Sequence, residues 1–119
     1  MNLFTTVNTS YSSSHREVEL IVGNTTTLSC ESNLTDRVAP VKWIWMKSPT
    51  SRQQHVLYSD GRINVNEILT QNMTVTTINS RQFNLVIDNV QLNHSGWYVC
   101  IEDNGLGPLT HSFKLQPGL

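Results

Sequence analysis

The residue types used in catalysis occur in this sequence, but not in a pattern that catalysis requires. Serine, histidine and aspartate are all present, as they are in most chains of this length. A nucleophilic side chain must also have a neighbouring base and, in many hydrolases, a sharp glycine-flanked turn. No serine stands on such a turn, and no pair of acidic residues stands in a context that would shift a pKa. The sequence therefore predicts a protein that is not an enzyme.

The residues that most often bind metals are equally scattered. The four histidines (His15, His55, His94 and His111) form no His-x-x-x-His pair and no Cys/His array of the kind that binds zinc. His94 is interpreted as a polar corner residue and not as a ligand. Cys30 and Cys100 are the two cysteines, and taken alone they leave several roles open. The sequence predicts no metal site and no cofactor.

Length and charge restrict the class of protein. A chain of 119 residues fits one domain with one modest core. Only 14% of the residues are charged, eight basic against nine acidic, and no cluster of Lys and Arg occurs. Nothing therefore favours binding to nucleic acid or to an anionic membrane surface. No apolar run approaches the roughly 20 residues of a membrane span, so this segment does not insert directly into a membrane.

Five Asn-x-Ser/Thr sequons point to the secretory pathway. Each is a glycan acceptor if the chain is secreted, and a chain so rich in Asn, Ser and Thr also produces sequons by chance. A glycosylated, extracellular surface is the favoured interpretation. Met1 is interpreted as an expression start on an ectodomain whose signal peptide and anchor were left out. The predicted glycosylation sites are Asn8, Asn24, Asn33, Asn72 and Asn93.

Hydrophobic periodicity predicts the elements that carry these residues. Apolar residues alternate with polar ones in short runs, and turn signals such as Asp60-Gly61 recur every 8–12 residues. Such spacing is typical of an all-β antiparallel sandwich. Residues 1–16 are an N-terminal extension or a first edge strand near 3–7, residues 17–116 form the domain, and residues 117–119 form a tail. The predicted strands are 18–22, 25–31, 41–46, 54–59, 72–78, 83–87, 97–102 and 109–116.

Three motifs identify the type of sandwich. Gly23 stands seven residues before Cys30, and Trp43 stands 13 residues after it. Farther on, the run Gly96-Trp97-Tyr98-Val99-Cys100 follows the alternating segment 85–90. In this order and spacing the chain resembles the immunoglobulin superfamily over about residues 17–116. The resemblance implies a two-sheet Greek-key sandwich. The 70 residues between the cysteines leave room for the C′ and C″ strands of a variable-type domain.

The resemblance also implies roles for core residues. Cys30 and Cys100 would form a disulfide between the sheets, with a strand C tryptophan packed on it. Trp43 and Trp45 are both compatible with that position, and Trp43 is favoured because Val41 precedes it at the expected inward position. Leu85 is assigned to the core. Tyr98 is also assigned to the core and would hydrogen-bond to the chain upstream.

Two features depart from the family pattern. His94 stands where the family usually has aspartate, which puts in doubt the usual ion pair with an arginine, best matched here by Arg62. If the two side chains are adjacent, the Arg62 charge is expected to lower the pKa of His94. The last predicted strand, residues 109–116 (strand G of the family), and the segment before it look more like intermediate-set adhesion and growth-factor-receptor domains than like antigen receptors.

The function that the resemblance implies is recognition. The domain is expected to belong to a cell-surface or secreted immune-type or adhesion receptor, and to bind a protein partner or a second copy of itself. The alternative is a ligand-binding or spacer domain of a growth-factor-receptor-like or other multi-domain receptor. Sialic-acid lectins of the superfamily rely on a strand F arginine, and residues 97–102 contain none. Mucin-type domains carry additional disulfides, which two cysteines cannot supply.

Strand parity predicts where a partner binds. Tyr98 and Cys100 point into the core, so the residues that alternate with them point out of the sheet. The same parity applies to the residues that alternate with the two tryptophans of strand C. An apolar outer face marks a partner site, unless a neighbouring domain, the N-terminal extension or a turn covers it. The sequons are assigned to the back sheet or to loop ends, so glycans should leave this face open. We call the outward residues the front strip: Ile44, Met46, Trp97, Val99 and Ile101.

Overall fold

The computed structural model describes residues 13–31, 41–77, 82–103 and 108–118, and these residues form β-strands joined by turns and two short 3₁₀ helices. The helices are Ile68–Asn72 and Leu92–His94. The predicted edge strand near residues 3–7 lies outside the described residues, as do Asn8 and Asn33. The strands are β1 (Ser14–Leu20), β2 (Thr26–Leu28), β3 (Val41–Met46), β4 (His55–Ser59), β5 (Arg62–Ile63), β6 (Met73–Thr76), β7 (Asn84–Ile87), β8 (Gly96–Asp103) and β9 (Pro108–Pro117).

The strands form two sheets. The front sheet has the order β1-β9-β8-β3-β4-β5, and the back sheet has the order β2-β7-β6. Strand β1 runs parallel to β9, whereas the other pairings are antiparallel. Strands β4 and β5 are the additional C′ and C″ strands, so the prediction of an all-β, variable-like sandwich is confirmed.

Strand β1 begins earlier than the hydrophobic pattern suggested. Its residues Ser14 to Glu17 are exposed and polar, and they are held by the register that pairs Ser14 with His111 and Leu20 with Pro117. The predicted strand 18–22 therefore ends at Leu20, and Ile21 and Val22 lie in the following turn. Backbone pairing, and not apolar periodicity, sets this strand's limits.

The core lies between the sheets and is built by alternation along each strand. In β7, Leu85 and Ile87 are fully buried while Asn84 and Val86 are only half-buried. Strand β4 departs from alternation: a register shift against β3 at Trp43 and Ile44 accompanies the burial of two successive residues, Leu57 and Tyr58. The largest buried side chains of the core are Trp43, Tyr98, Leu28, Leu57, Leu85, Ile87 and Leu115.

A disulfide joins the two sides of the sandwich. Cys30 follows β2 of the back sheet and Cys100 lies in β8 of the front sheet, and their Cα atoms are 6.4 Å apart. Trp43 is the cross-strand neighbour of Cys100, and its Nε1–H donates a 2.8 Å hydrogen bond to the carbonyl oxygen of Phe83. Trp45 is only half-buried and pairs with Tyr98. The structure therefore places Trp43 in the fully buried position beside Cys100.

The turn before β8 is fixed by a buried tyrosine and a buried histidine. The Tyr98 hydroxyl donates a 2.5 Å hydrogen bond to the carbonyl oxygen of His94, which is the upstream bond that the resemblance implied. Burial raises the pKa of Tyr98, so the hydroxyl remains a donor at neutral pH. The amide of Gln91 donates to Nδ1 of His94 over 2.8 Å. The side chain that stands in place of the family aspartate thus accepts a backbone amide of its own turn.

The pKa of His94 lies below its ordinary value of 6.5, and the main cause is burial. The direction is the one expected from the sequence, but the expected cause was wrong. Arg62, whose charge was considered as the cause, is exposed at the start of β5 and does not contribute to the shift. A buried imidazole resists protonation because the charged form loses more solvation than the neutral form.

This burial predicts a pH dependence of stability. Below about pH 6.5 the unfolded chain binds a proton at His94 that the native state does not bind, so the free energy of unfolding falls as the pH falls through this window. In His94→Asn, Oδ1 replaces Nδ1 as the acceptor and does not titrate, and the other three histidines remain. We expect the difference in urea midpoint between pH 7.5 and pH 5.5 to be smaller in this variant. If the urea midpoint changes by the same amount between these two pH values in both proteins, His94 is not a cause of the pH dependence.

Candidate partner-binding face of the front sheet

The outer face of the front sheet is built from cross-strand rows, because residues paired across strands point to the same side. The central row crosses five strands and the two others cross fewer. The central row contains His15, Ser112, Val99, Ile44 and Val56. One flanking row contains Glu17, Lys114, Trp97 and Met46, and the other contains Thr110, Ile101 and Lys42.

The structure places all five residues of the front strip on this face. None of them belongs to the apolar cluster between the sheets or packs against it. The centre of the outer face is therefore apolar, with Lys42, Glu17 and Lys114 at its borders. An antiparallel sheet that only faced water would alternate apolar residues inside with polar ones outside.

The exposure of the front strip is smaller than parity suggested. Ile44 is only 4% exposed, which corrects the expectation that it forms open surface. It lies at the centre of the face, with Val99 on one neighbouring strand and Val56 on the other. The remaining strip residues are half-buried. Parity fixes the side of the sheet to which a residue points, whereas its neighbours decide how much water reaches it.

Trp97 is partly covered by strand β1 and strand β9. The His15 ring stacks on Trp97 with centroids 5.2 Å apart and an angle of 24° between the rings. Nδ1 of His15 lies 2.7 Å from the Ser112 hydroxyl, which fixes the orientation of the ring. On β9, Nζ of Lys114 lies 5.6 Å from the Trp97 ring centroid, within range of a cation–π interaction. His15 could not be predicted as part of this face, because the polar start of β1 has no hydrophobic periodicity.

A shallow depression borders the face at one end. It is open to solvent, and its walls include Trp45, Lys47, Trp97, Lys114 and Asn93. Asn93 carries a sequon, so a glycan at this position would begin at the edge of the outer face. Asn93 thus lies at a loop end, as expected, but beside one end of the face. The exposed Asn24 and Asn72 lie away from the front sheet, in the turn after β1 and just before β6.

Other polar pairs near the face have structural roles. Nδ1 of His55 lies 2.9 Å from a carboxylate oxygen of Glu67, and the His55 and Trp45 rings are tilted by 61° with centroids 5.2 Å apart. These contacts hold β4 against the segment after β5. Within residues 13–31, 41–77, 82–103 and 108–118, no three His, Cys, Asp or Glu side chains are grouped as a metal site would require. In the same ranges no helix has the length and apolar character needed to cross a membrane.

Two solved structures resemble this fold over most of its length. The crystal structure of the swine CD8aa homodimer superposes with a TM-score of 0.71 at 17% identity, covering 87% of this chain and 93% of that chain. The extracellular fragment of Novel Immune-Type Receptor 10 superposes with a TM-score of 0.66 at 16% identity, covering 85% of this chain and 94% of that chain. No curated protein matches the sequence.

The sequence supports a more specific assignment than these distant structures. Residues 13–116 match the Immunoglobulin V-set domain, which includes all nine strands except the last residue of β9. This result agrees with the two strands, β4 and β5, that distinguish the variable type. The chain therefore belongs to the immunoglobulin V-set domain family.

Proposed function

We propose that this domain is an extracellular recognition module of an immune-type receptor and that it binds a protein through the outer face of the front sheet. The observation that supports this most is the apolar centre of that face, where a sheet facing only water would be polar. Membership in a family of recognition domains and the likeness to immune-type receptors agree with the proposal.

The composition of the face suits a protein partner. Interfaces bury a central aromatic or aliphatic anchor and surround it with polar residues. Here Trp97 and Met46 are cross-strand neighbours at the face, and Lys114 and Glu17 continue the same row toward the sheet edge. Trp97 is held in place by His15 and Lys114, so little side-chain entropy is lost when a partner covers it.

A second copy of the chain is the first partner to test. The face carries both signs of charge, with Glu17 at one border and Lys42 at another, so two copies can be arranged without like charges in contact. The similar swine CD8aa structure is of a homodimer. If the face binds a different protein, the same residues are expected to form the contact.

Val99→Glu tests the proposal with a matched control. Val99 lies at the centre of the face, and a carboxylate that loses water there when a partner covers it should weaken binding at least tenfold, or about 1.4 kcal/mol. Val86→Glu makes the same change at another half-buried strand residue, which points to the outer side of the back sheet. Self-association is measured by sedimentation equilibrium. Binding to cells that display a partner protein is measured by flow cytometry.

We expect Val99→Glu to lose association and Val86→Glu to retain it, while both variants keep the urea midpoint of a folded domain. If both variants associate as strongly as the unchanged protein does, the proposal is wrong. The binding site would then lie in the loops after Cys30 and Cys100, or the domain would be a spacer or a ligand-binding module of another multi-domain receptor.

A further inference from the structure

The strongly exposed apolar side chains are not on the outer face of the front sheet. In the described part of the chain, five large hydrophobic residues are between 51% and 84% exposed, and all of them lie in the turns and short 3₁₀ helices that connect strands. Exposed apolar residues that gather in one region require a partner or a cover. The five residues are Ile21, Val22, Val65, Ile68 and Leu92.

Each of these turns also carries a sequon. Asn24 closes the turn that exposes Ile21 and Val22, and its amide donates to the Ile21 carbonyl over 3.0 Å. Asn72 ends the 3₁₀ helix that begins at the exposed Ile68.

The third turn repeats the arrangement. Asn93 follows the exposed Leu92 in the 3₁₀ helix before β8. The asparagine side chains of all three sequons are exposed. Exposed aliphatic residues and glycan acceptors therefore occur together three times.

Backbone hydrogen bonds bring the three turns to one end of the sandwich. The Gly23 amide donates to the Val90 carbonyl over 2.8 Å, and the Val90 amide donates to the Asn24 carbonyl over 2.9 Å. The Asp88 amide donates to the Asn72 carbonyl over 2.9 Å. The turn after β1 and the start of β6 are thus both bonded to the segment that leads into the turn carrying Asn93.

We propose that N-linked glycans on Asn24, Asn72 and Asn93 cover the exposed aliphatic side chains at this end of the sandwich. The pyranose rings of a glycan have apolar C–H faces that pack on aliphatic groups, while their hydroxyls remain in water. A bulky, solubilising group on each turn would exclude a protein from this end. Protein binding is thereby excluded from this end of the sandwich, and the Asn93 glycan marks the corresponding end of the front face.

This inference rests on the extracellular location proposed above but not on the front strip. The first measurement is site occupancy, by peptide mass spectrometry of the chain secreted from a eukaryotic host, and we expect all three sites to be occupied. Unoccupied sites would overturn the inference, whether or not Val99→Glu affects binding. Occupied sites with an unaffected Val99→Glu variant would instead overturn only the proposed function.

The second measurement is exposure of apolar surface. Asn24→Gln, Asn72→Gln and Asn93→Gln are combined, and anilinonaphthalene sulfonate fluorescence reports accessible apolar surface. We expect a several-fold rise over the glycosylated protein, together with aggregation detected by light scattering. A control with Asn8→Gln and Asn33→Gln, which keeps the three glycans, should give no rise.

Two further samples distinguish shielding of the apolar side chains by glycans from an effect of the glycans on folding. Enzymatic removal of glycans from the folded protein should produce the same rise without loss of the urea midpoint. Adding Ile21→Gln, Ile68→Gln and Leu92→Gln to the unglycosylated variant should lower the dye signal toward the glycosylated level, with the remainder due to Val22 and Val65. If dye binding does not change when the glycans are removed, the glycans do not cover these side chains and the inference is wrong.

Discussion

Replacement of both cysteines, Cys30→Ala with Cys100→Ala, is expected to lower the free energy of unfolding by roughly 4 kcal/mol. The disulfide closes a loop across a sequence separation of 70 residues, and its loss returns that conformational freedom to the unfolded chain. Domains of this size have a total stability of about 5–15 kcal/mol. The variant should therefore be close to the limit of folding at 37 °C, and urea unfolding measured by tryptophan fluorescence provides the check.

A control and a chemical measurement accompany this prediction. Wild-type protein that is reduced should unfold at the same urea midpoint as the double alanine variant, because both lack the same cross-link. Oxidised wild-type protein should show no free thiol after denaturation, since Cys30 and Cys100 are the two cysteines of the chain. Free thiols in that sample, or equal midpoints for the oxidised and reduced forms, would contradict the stabilising role of the bond.

The core could be predicted from the sequence because its determinants are local. A period of two assigns inward and outward faces within a strand without any knowledge of its neighbours. That rule placed Leu85 on one face with Phe83 and Ile87, and all three are buried; the burial of Tyr98 was implied by the resemblance. The resemblance favoured Trp43 over Trp45 because Val41 precedes it at the expected inward position, whereas a period of two alone does not distinguish the two tryptophans.

The surface could be predicted less well because it depends on which strands become neighbours. The cover of Trp97 by His15 requires the parallel pairing of β1 with β9, across nearly the whole length of the chain. The polar residues of β1 have no hydrophobic period that would reveal this pairing. The burial of Ile44 likewise depends on Val56, which a register shift between β3 and β4 places opposite it.

The role of His94 illustrates a third limit. A histidine in place of the family aspartate correctly suggested a lowered pKa, but the sequence could not distinguish a nearby positive charge from burial as its cause. The structure does so because Arg62 is exposed whereas His94 is buried and accepts from the Gln91 amide. Burial of one side chain by several distant segments is a property of packing that one sequence does not encode locally.

Truncation of the two strand β3 tryptophans is expected to separate their roles. Trp43→Ala should lower the free energy of unfolding by about 3–5 kcal/mol, because it leaves a cavity in the closed core. Trp43 is 0% exposed and packs against the Phe113 ring with centroids 5.8 Å apart. Trp45→Ala removes a ring that is only half-buried, so less buried apolar area is lost and we expect a clearly smaller decrease in the free energy of unfolding.

Trp43→Phe distinguishes packing from hydrogen bonding at the same position. It keeps most of the apolar ring but removes the Nε1–H that bonds to the Phe83 carbonyl over 2.8 Å in a buried region. A buried acceptor without its donor costs about 1–3 kcal/mol, so this variant should lie between the wild type and Trp43→Ala. Urea unfolding gives the free energy of unfolding of all three variants, and the values can be compared directly when the m-value is unchanged. Equal decreases in the free energy of unfolding for Trp43→Ala and Trp45→Ala would show that the two tryptophans contribute equally to the core. That result would contradict the expectation, because Trp43 is fully enclosed beside Cys100 whereas Trp45 is only half-buried.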